Sequence, residues 1–328
     1  MYVMQEKPHT QPTLIMVWIQ NPLAGLGDLL RGTMRLHELS KEMNFRFIVD
    51  TQLHPVSKYL SGIPHEYSDY VLKNQDKIIH LVNCQDGKQQ IANCLMIATS
   101  ASPILVFSND ADGMLHKVPS FHSSLFMRKL MHPTEEFKTQ FNAMCNEFKI
   151  GRNYSIMHFR VGDDDLVNHN INVQKYKEML IILDAAVKQN DNTHIISDSF
   201  AFKQYLGWVR PHLANRIIPT KPIHLSHSNA NDAEMIKDTM FDFFLLMHAK
   251  TIKTYTNYTW VSGFVQWISY AFNVPLINVN ANVRNVQTSP SIHVQKKNHL
   301  TPMRIFANPN PRSKRMNNSI NMQFSKNY

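Results

Sequence analysis

Along the second half of the chain, apolar runs of strand length alternate with stripes of helical period, and that alternation leaves few folds open. The runs Tyr154–Arg160, His194–Asp198, Thr251–Thr256 and Leu276–Val279 are separated by helical patterns over Val173–Val187, Ala233–His248 and Thr259–Phe272. In the first of these patterns Val173, Tyr176, Met179, Leu180, Leu183 and Val187 recur at steps of three and four, the spacing of a stripe packed on a sheet. Strands that alternate with helices build a parallel, doubly wound sheet. The first half reads the same way: a strand at Thr13–Ile19, a loop holding Gly25 and Gly27, a helix from about Leu29 to Met43, and strands at Phe45–Asp50, Ile78–Val82 and Ile104–Phe107. Pro133-Thr134-Glu135-Glu136 opens a further helix, with proline near its start and carboxylates in its first turn.

A chain of 328 residues is long for one core. The expected class is α/β, with two Rossmann-like doubly wound domains facing a cleft: residues 1–150, residues 151–285, and a basic tail over 286–328. No apolar run approaches the length of a membrane span. Leu14–Ile19 is too short for a signal-peptide core and lacks its basic flank, so a cytoplasmic protein is expected. Cys84, Cys94 and Cys145 have no metal spacing, and an odd count argues against a disulfide framework. The sequons at Asn153, Asn257 and Asn317 matter only in a secreted protein and are discounted.

The net charge of +9 invites a nucleic-acid partner until its location is considered. Seven basic residues (Lys296, Lys297, Arg304, Arg312, Lys314, Arg315, Lys326) and no acidic ones lie between Val286 and Tyr328, leaving +2 for the rest. The tail reads as a solvated segment whose charge could also touch an anionic surface, and no nucleic acid is expected as a partner. The high Asn, Ile, Lys and Met usage is that of an AT-rich genome, such as a large virus or parasite.

Four sequence elements carry chemistry. In Ile156–Leu166, Arg160 stands at the end of an apolar strand that breaks at Gly162, with Asp163 behind it. That places a guanidinium at the carboxyl edge of a sheet, where open α/β folds bind ligands, and its planar fork suits a phosphate. A strand-end ion pair explains the same arginine about as well, and His158 reads equally as a core histidine donating to a carbonyl. In Thr254–Thr259 a strand meets a helix, whose free N–H groups together with Thr256 and Thr259 could bind phosphate while Tyr258 stacks on a base. Thr256, Asn257 or Thr259 could instead be a plain N-cap. Asp198, after Ile195-Ile196-Ser197, could hold a ribose hydroxyl or cap the helix at Phe200. Gly25-Leu26-Gly27-Asp28 turns the first strand toward the cleft but lacks the third glycine of a dinucleotide fingerprint. Asp28 is a candidate general base, or a helix cap.

In this order the four elements resemble the GT-B fold fucosyltransferase superfamily, which holds the nodulation, core α-1,6, α-1,2 and protein O-fucosyltransferases, over most of Leu14–Val279. Arg160 in His-Phe-Arg-Val-Gly-Asp is similar to the family arginine of His-x-Arg-x-x-Asp, which implies contact with the β-phosphate of GDP-fucose. Thr256–Val261 followed by Gly263 resembles the family's Ser-Ser/Thr-Phe-Ser-Trp-x stretch, implying nucleotide contacts from Thr256, Asn257 and Tyr258, with His158, Gly162, Asp163, Asp198 and Thr259 completing the donor site. Gly25-Leu26-Gly27-Asp28 is similar to the family's Gly-Leu-Gly-Asn. Two departures stand out: Val161 replaces a second arginine present in many members, and Asp28 replaces asparagine. The resemblance implies inverting, metal-independent transfer from a GDP-sugar to a glycan or glycoprotein acceptor. Arg160 and Asp28 would be the catalytic pair, with Asp163 the alternative base, Gly25 and Gly27 would form the acceptor-side loop, and neither cofactor nor metal is expected.

Asp110 and Asp112, after the strand Ile104–Phe107, supply the rival, a metal-dependent transferase, although a polar turn closed by Gly113 accounts for them more simply. A GDP-rhamnose-type donor is compatible with the same motifs, and so is a non-catalytic module that binds phosphate or nucleic acid.

Overall fold

The computed structural model describes residues 11–21, 24–63, 66–82, 86–99, 101–109, 118–162, 172–188, 191–225, 232–258 and 260–279. Cys84, Asp110, Asp112, Asp163, Thr259 and the basic tail, on which several expectations fall, lie outside the described residues.

Strands β1 (Thr13–Val17), β2 (Arg46–Asp50), β3 (Ile79–Leu81) and β4 (Ile104–Ser108) form one sheet in the order β2-β1-β4-β3. Strands β5 (Ser155–Arg160), β6 (Thr193–Ser197), β7 (Thr251–Thr256) and β8 (Leu276–Asn278) form a second, in the order β6-β5-β7-β8. Every pairing is parallel. Parallel sheets are covered on both faces, which is why their strands read as continuous apolar runs: Leu14 to Val17 are all fully buried. In each sheet the order reverses between two central neighbours, β1 and β4 in the first, β5 and β7 in the second. The carboxyl ends of such neighbours diverge and leave a crevice.

The covering helices are α1 (Leu26–Glu42), α2 (Ser68–Lys73), α3 (Gly87–Leu95), α4 (Phe121–Leu130), α5 (Glu135–Glu147), α6 (Val173–Ala186), α7 (Phe200–Val209), α8 (Ala233–His248) and α9 (Gly263–Phe272). Among the described residues no helix is long and apolar enough to cross a membrane.

Side chains on alternate faces of β5 serve different cores. Met157, Phe159 and Val161 pack with Tyr176, Phe202 and Leu206 of α6 and α7. Ile156 joins a larger core that also takes in Leu14, Met16 and Trp18, the apolar side of α1, and Phe243 and Phe244 of α8. Helix α9 follows β7 in the chain yet packs on α1 and α4. A Cβ on Gly27 would stand 2.7 Å from both the carbonyl carbon of Gly263 and the nitrogen of Phe264, so the first turns of α1 and α9 meet backbone to backbone. At the far end of α9, Ser124 of α4 donates to the Tyr270 carbonyl at 3.1 Å and Arg128 to that of Phe272 at 2.8 Å. These are carbonyls that the end of a helix otherwise leaves unpaired.

Two helix starts differ from expectation. Helix α1 begins at Leu26 rather than near Leu29, because Gly25 takes the extended N-cap conformation and its N–H donates to Asp28 Oδ2 at 3.0 Å, drawing Gly27 and Asp28 into the first turn. Helix α9 begins at Gly263 rather than Thr259. The Thr256 hydroxyl accepts from Tyr258 N at 3.2 Å, a local turn that competes with helix and delays its start.

Candidate functional site

Arg160 ends β5 directly opposite Thr256 on β7, at the reversal point of the second sheet. Its Nη1 donates to Asp198 Oδ2 at 2.5 Å, in a pair whose side chains are only 14% and 11% exposed. Asp198 follows the neighbouring strand β6. Its Oδ1 accepts from Val161 N at 2.8 Å, and Gly162 N approaches Oδ2 at 3.4 Å. One carboxylate therefore fixes both the guanidinium and the backbone turn behind it. A helix-cap role for Asp198 gives way, since Ser199 caps α7 by accepting from Phe202 N at 3.0 Å.

His158 lies one step below Arg160 on the same face and is buried, with Nδ1 3.1 Å from the Thr254 hydroxyl rather than bonded to a carbonyl. Burial, with the positive charges of Arg160 and Lys203 adding to it, pushes its pKa down to about 3, so the ring is neutral. It therefore lies buried beneath Arg160, bonded to the neighbouring strand. Behind it, Lys203 of α7 is buried and donates to Thr220, to the carbonyl and, at 3.0 Å, to the hydroxyl. That hydroxyl donates to Asp242 Oδ1 at 2.9 Å. Burial lowers the Lys203 pKa and raises that of Asp242 to about 7. No motif marks this cluster, because a lone helix lysine reads as a solvent-facing one.

The end of β7 is tied to the end of β5. Asn257 donates to the Val161 carbonyl at 2.9 Å and accepts from the Tyr255 hydroxyl at 3.0 Å, while Thr256 is buried. Neither Thr256 nor Asn257 caps a helix, and the free N–H groups expected there belong to Gly263 and beyond, where Gly27 packs against them. The helix start expected at Thr256 therefore lies at Gly263, and side chains rather than free helix N–H groups stand at the end of β7. The Arg160 guanidinium carbon lies 6.0 Å from the centre of the Tyr258 ring, which stacks on Trp260 at 4.9 Å and 9°. Trp260 is 63% exposed.

Gly162 has φ +117°, a conformation that side-chain-bearing residues rarely adopt. A Cβ there would stand 3.4 Å from the Tyr258 hydroxyl oxygen and 3.7 Å from Lys175 Nζ. Lys175, in the first turn of α6, belongs to no motif; its ammonium donates to the Val161 carbonyl.

On the other side, a Cβ on Gly25 would stand 3.0 Å from the His224 ring, so the glycine loop lies against a residue of the second half. Asp28 is committed to α1: one oxygen accepts from Gly25 N and the other pairs with Arg31 at 3.1 Å. Capping thus describes its ground state, although its side chain remains 34% exposed.

No protein-family model and no curated protein matches the sequence. Among solved structures, the fold is similar to that of an Arabidopsis thaliana FUT1 variant in complex with GDP, with a TM-score of 0.50 and 11% identity over 83% of this chain and 70% of that one. A NodZ alpha-1,6-fucosyltransferase co-crystallized with GDP gives a TM-score of 0.48 and 13% identity over 80% of this chain and 93% of that one. Apo POFUT1 gives 0.43 and 10% over 83% and 99%. The two parallel sheets with their helices are thus an α/β fold shared with that FUT1 variant.

Proposed function

We propose that this chain is a fucosyltransferase-like glycosyltransferase, moving fucose from GDP-fucose to a hydroxyl of a glycan or protein with inversion and without a metal ion. Arg160 carries the reading: a guanidinium locked by Asp198 at the reversal point of a parallel sheet, beside an aromatic stack, in a fold shared with a GDP complex. In the transfer the acceptor oxygen bonds to the sugar anomeric carbon as the bond from that carbon to the β-phosphate oxygen breaks. Charge grows on the departing diphosphate, and Arg160, already oriented, takes it up without reorganising. The acceptor proton passes to Asp28, which must first loosen from Gly25 N and Arg31. Tyr258 and Trp260 offer the purine a flat apolar wall.

The test is thermal unfolding with GDP, UDP and their sugars, on the wild type and on Arg160→Gln. A ligand at 100 times its Kd adds about 2.7 kcal/mol of stability, a rise in Tm of several degrees. GDP and GDP-fucose should stabilise the wild type and not the variant. Stabilisation by UDP alone, indifferent to the substitution, would overturn the donor assignment.

A further inference from the structure

We infer that Lys175 is a second cation of the donor site, holding the diphosphate together with Arg160; this rests on the GDP-sugar reading above. Three observations converge on it. The first is a conflict with helix electrostatics. Lys175 occupies the first turn of α6, where its own N–H donates to the Asn172 cap at 3.1 Å. There a positive side chain opposes the positive end of the helix dipole. A residue that violates a local rule marks a place where something other than stability is served.

The second observation is the lysine's partner. Among the described residues no carboxylate pairs with Lys175; the half-buried ammonium instead reaches the Val161 carbonyl. That carbonyl already accepts from Asn257 at 2.9 Å, so the lysine is not needed to satisfy it. An ammonium has three donors, and a carbonyl takes one of them.

The third is convergence. Lys175 Nζ and the Tyr258 hydroxyl flank the same point, the empty side of Gly162, at 3.7 and 3.4 Å from where a Cβ would be. Arg160 lies two residues back, with its guanidinium over the Tyr258 ring. A glycine at φ +117° leaves that point clear, as the close approach of an anion requires. Val161 contributes no charge here. Its side chain is fully buried in the core on the opposite face of the sheet, so no second guanidinium follows Arg160 along the strand. Helix α6 brings the Lys175 ammonium to the same point from later in the chain.

The experiment is calorimetric titration of wild type, Lys175→Met and Lys175→Arg with GDP, GMP and guanosine, alongside unliganded melting curves. Lys175→Met should weaken GDP binding by about 10- to 100-fold, the usual scale of one charge-assisted contact. GMP should suffer less, and guanosine should change by under about twofold. Lys175→Arg should recover most of the loss. Unliganded Lys175→Met should melt no lower than wild type, since it removes a charge that opposes the dipole. Unchanged GDP affinity in Lys175→Met, or an equal loss for guanosine and GDP, would overturn the role of Lys175 while leaving the donor assignment intact. A wild type that binds none of the three would overturn both.

Discussion

The Arg160–Asp198 pair can be separated into its structural and binding roles by a double-mutant cycle. Both side chains are nearly sealed from water, and Asp198 also holds the Val161 and Gly162 amides. Removing one partner of such a pair strands the other charge, at a cost of about 3–5 kcal/mol. The slight exposure of both groups favours the lower end, so Asp198→Ala and Arg160→Met should each lose about 3 kcal/mol. In the double variant neither charge is stranded, and its loss should fall short of the sum by about 2 kcal/mol or more. Urea unfolding with linear extrapolation measures all four corners. GDP titration of the same proteins supplies the functional half: Asp198→Ala should weaken GDP by at least about tenfold, because an unanchored guanidinium must be ordered on binding. Losses that add within about 0.5 kcal/mol, or a GDP affinity untouched in Asp198→Ala, would refute the idea that this carboxylate presents the arginine.

Three further outcomes are expected. Burial, the largest cause in each case, holds His37 and His54 down to pKa values of about 4 and His158 to about 3, so between pH 6.5 and 4 the unfolded chain binds protons that the native rings refuse. Each ring then costs about 1.4 kcal/mol per pH unit as pH falls below 6.5. Asp242, raised to about 7, keeps its proton in the native state down through the ordinary carboxyl range and offsets one of them. The histidines outnumber it, so stability should fall as the pH drops from 6 to 5, and urea midpoints that stay level across that window would contradict it. Gly27→Ala should cost about 2–3 kcal/mol, because its methyl meets only the backbone of α9, while Gly25→Ala meets the movable His224 ring and should cost under about 1 kcal/mol; urea midpoints in the reverse order would be inconsistent with the packing. Asp28→Asn keeps an oxygen for Gly25 N but loses basicity, so stability should change by under about 1 kcal/mol while turnover drops about 10²- to 10⁴-fold; unimpaired turnover would remove Asp28 as the base.

The alternation of strands and helices is legible because parallel strands buried on both faces leave unbroken apolar runs; α8 and β7 fall at their expected bounds, Ala233–His248 and Thr251–Thr256. Arg160 is legible because a charged residue closing such a run must stand at a sheet edge. The residues around it are less so. Asp198 stands out in sequence yet reads equally as a cap, since only the fold shows that Ser199 fills that place. The loop after β7 reads as helix because the Thr256 hydroxyl and the Asn257 amide act through contacts with Tyr258, Val161 and Tyr255 that no periodicity encodes. Lys175, Lys203 and His224 are silent in the sequence for a common reason: each reaches its place through neighbours distant along the chain, and singly none has a pattern.

Helix α9 has a consequence for how the protein is made. It closes over α1 and α4, yet more than a hundred residues of chain separate it from them. On a ribosome adding about 5–20 residues per second, the apolar flank of α1 stays uncovered for many seconds after its own sheet has emerged. The nascent amino-terminal half should therefore bind chaperones until Phe272 clears the exit tunnel, and a chain truncated before Gly263 should be retained by them rather than released.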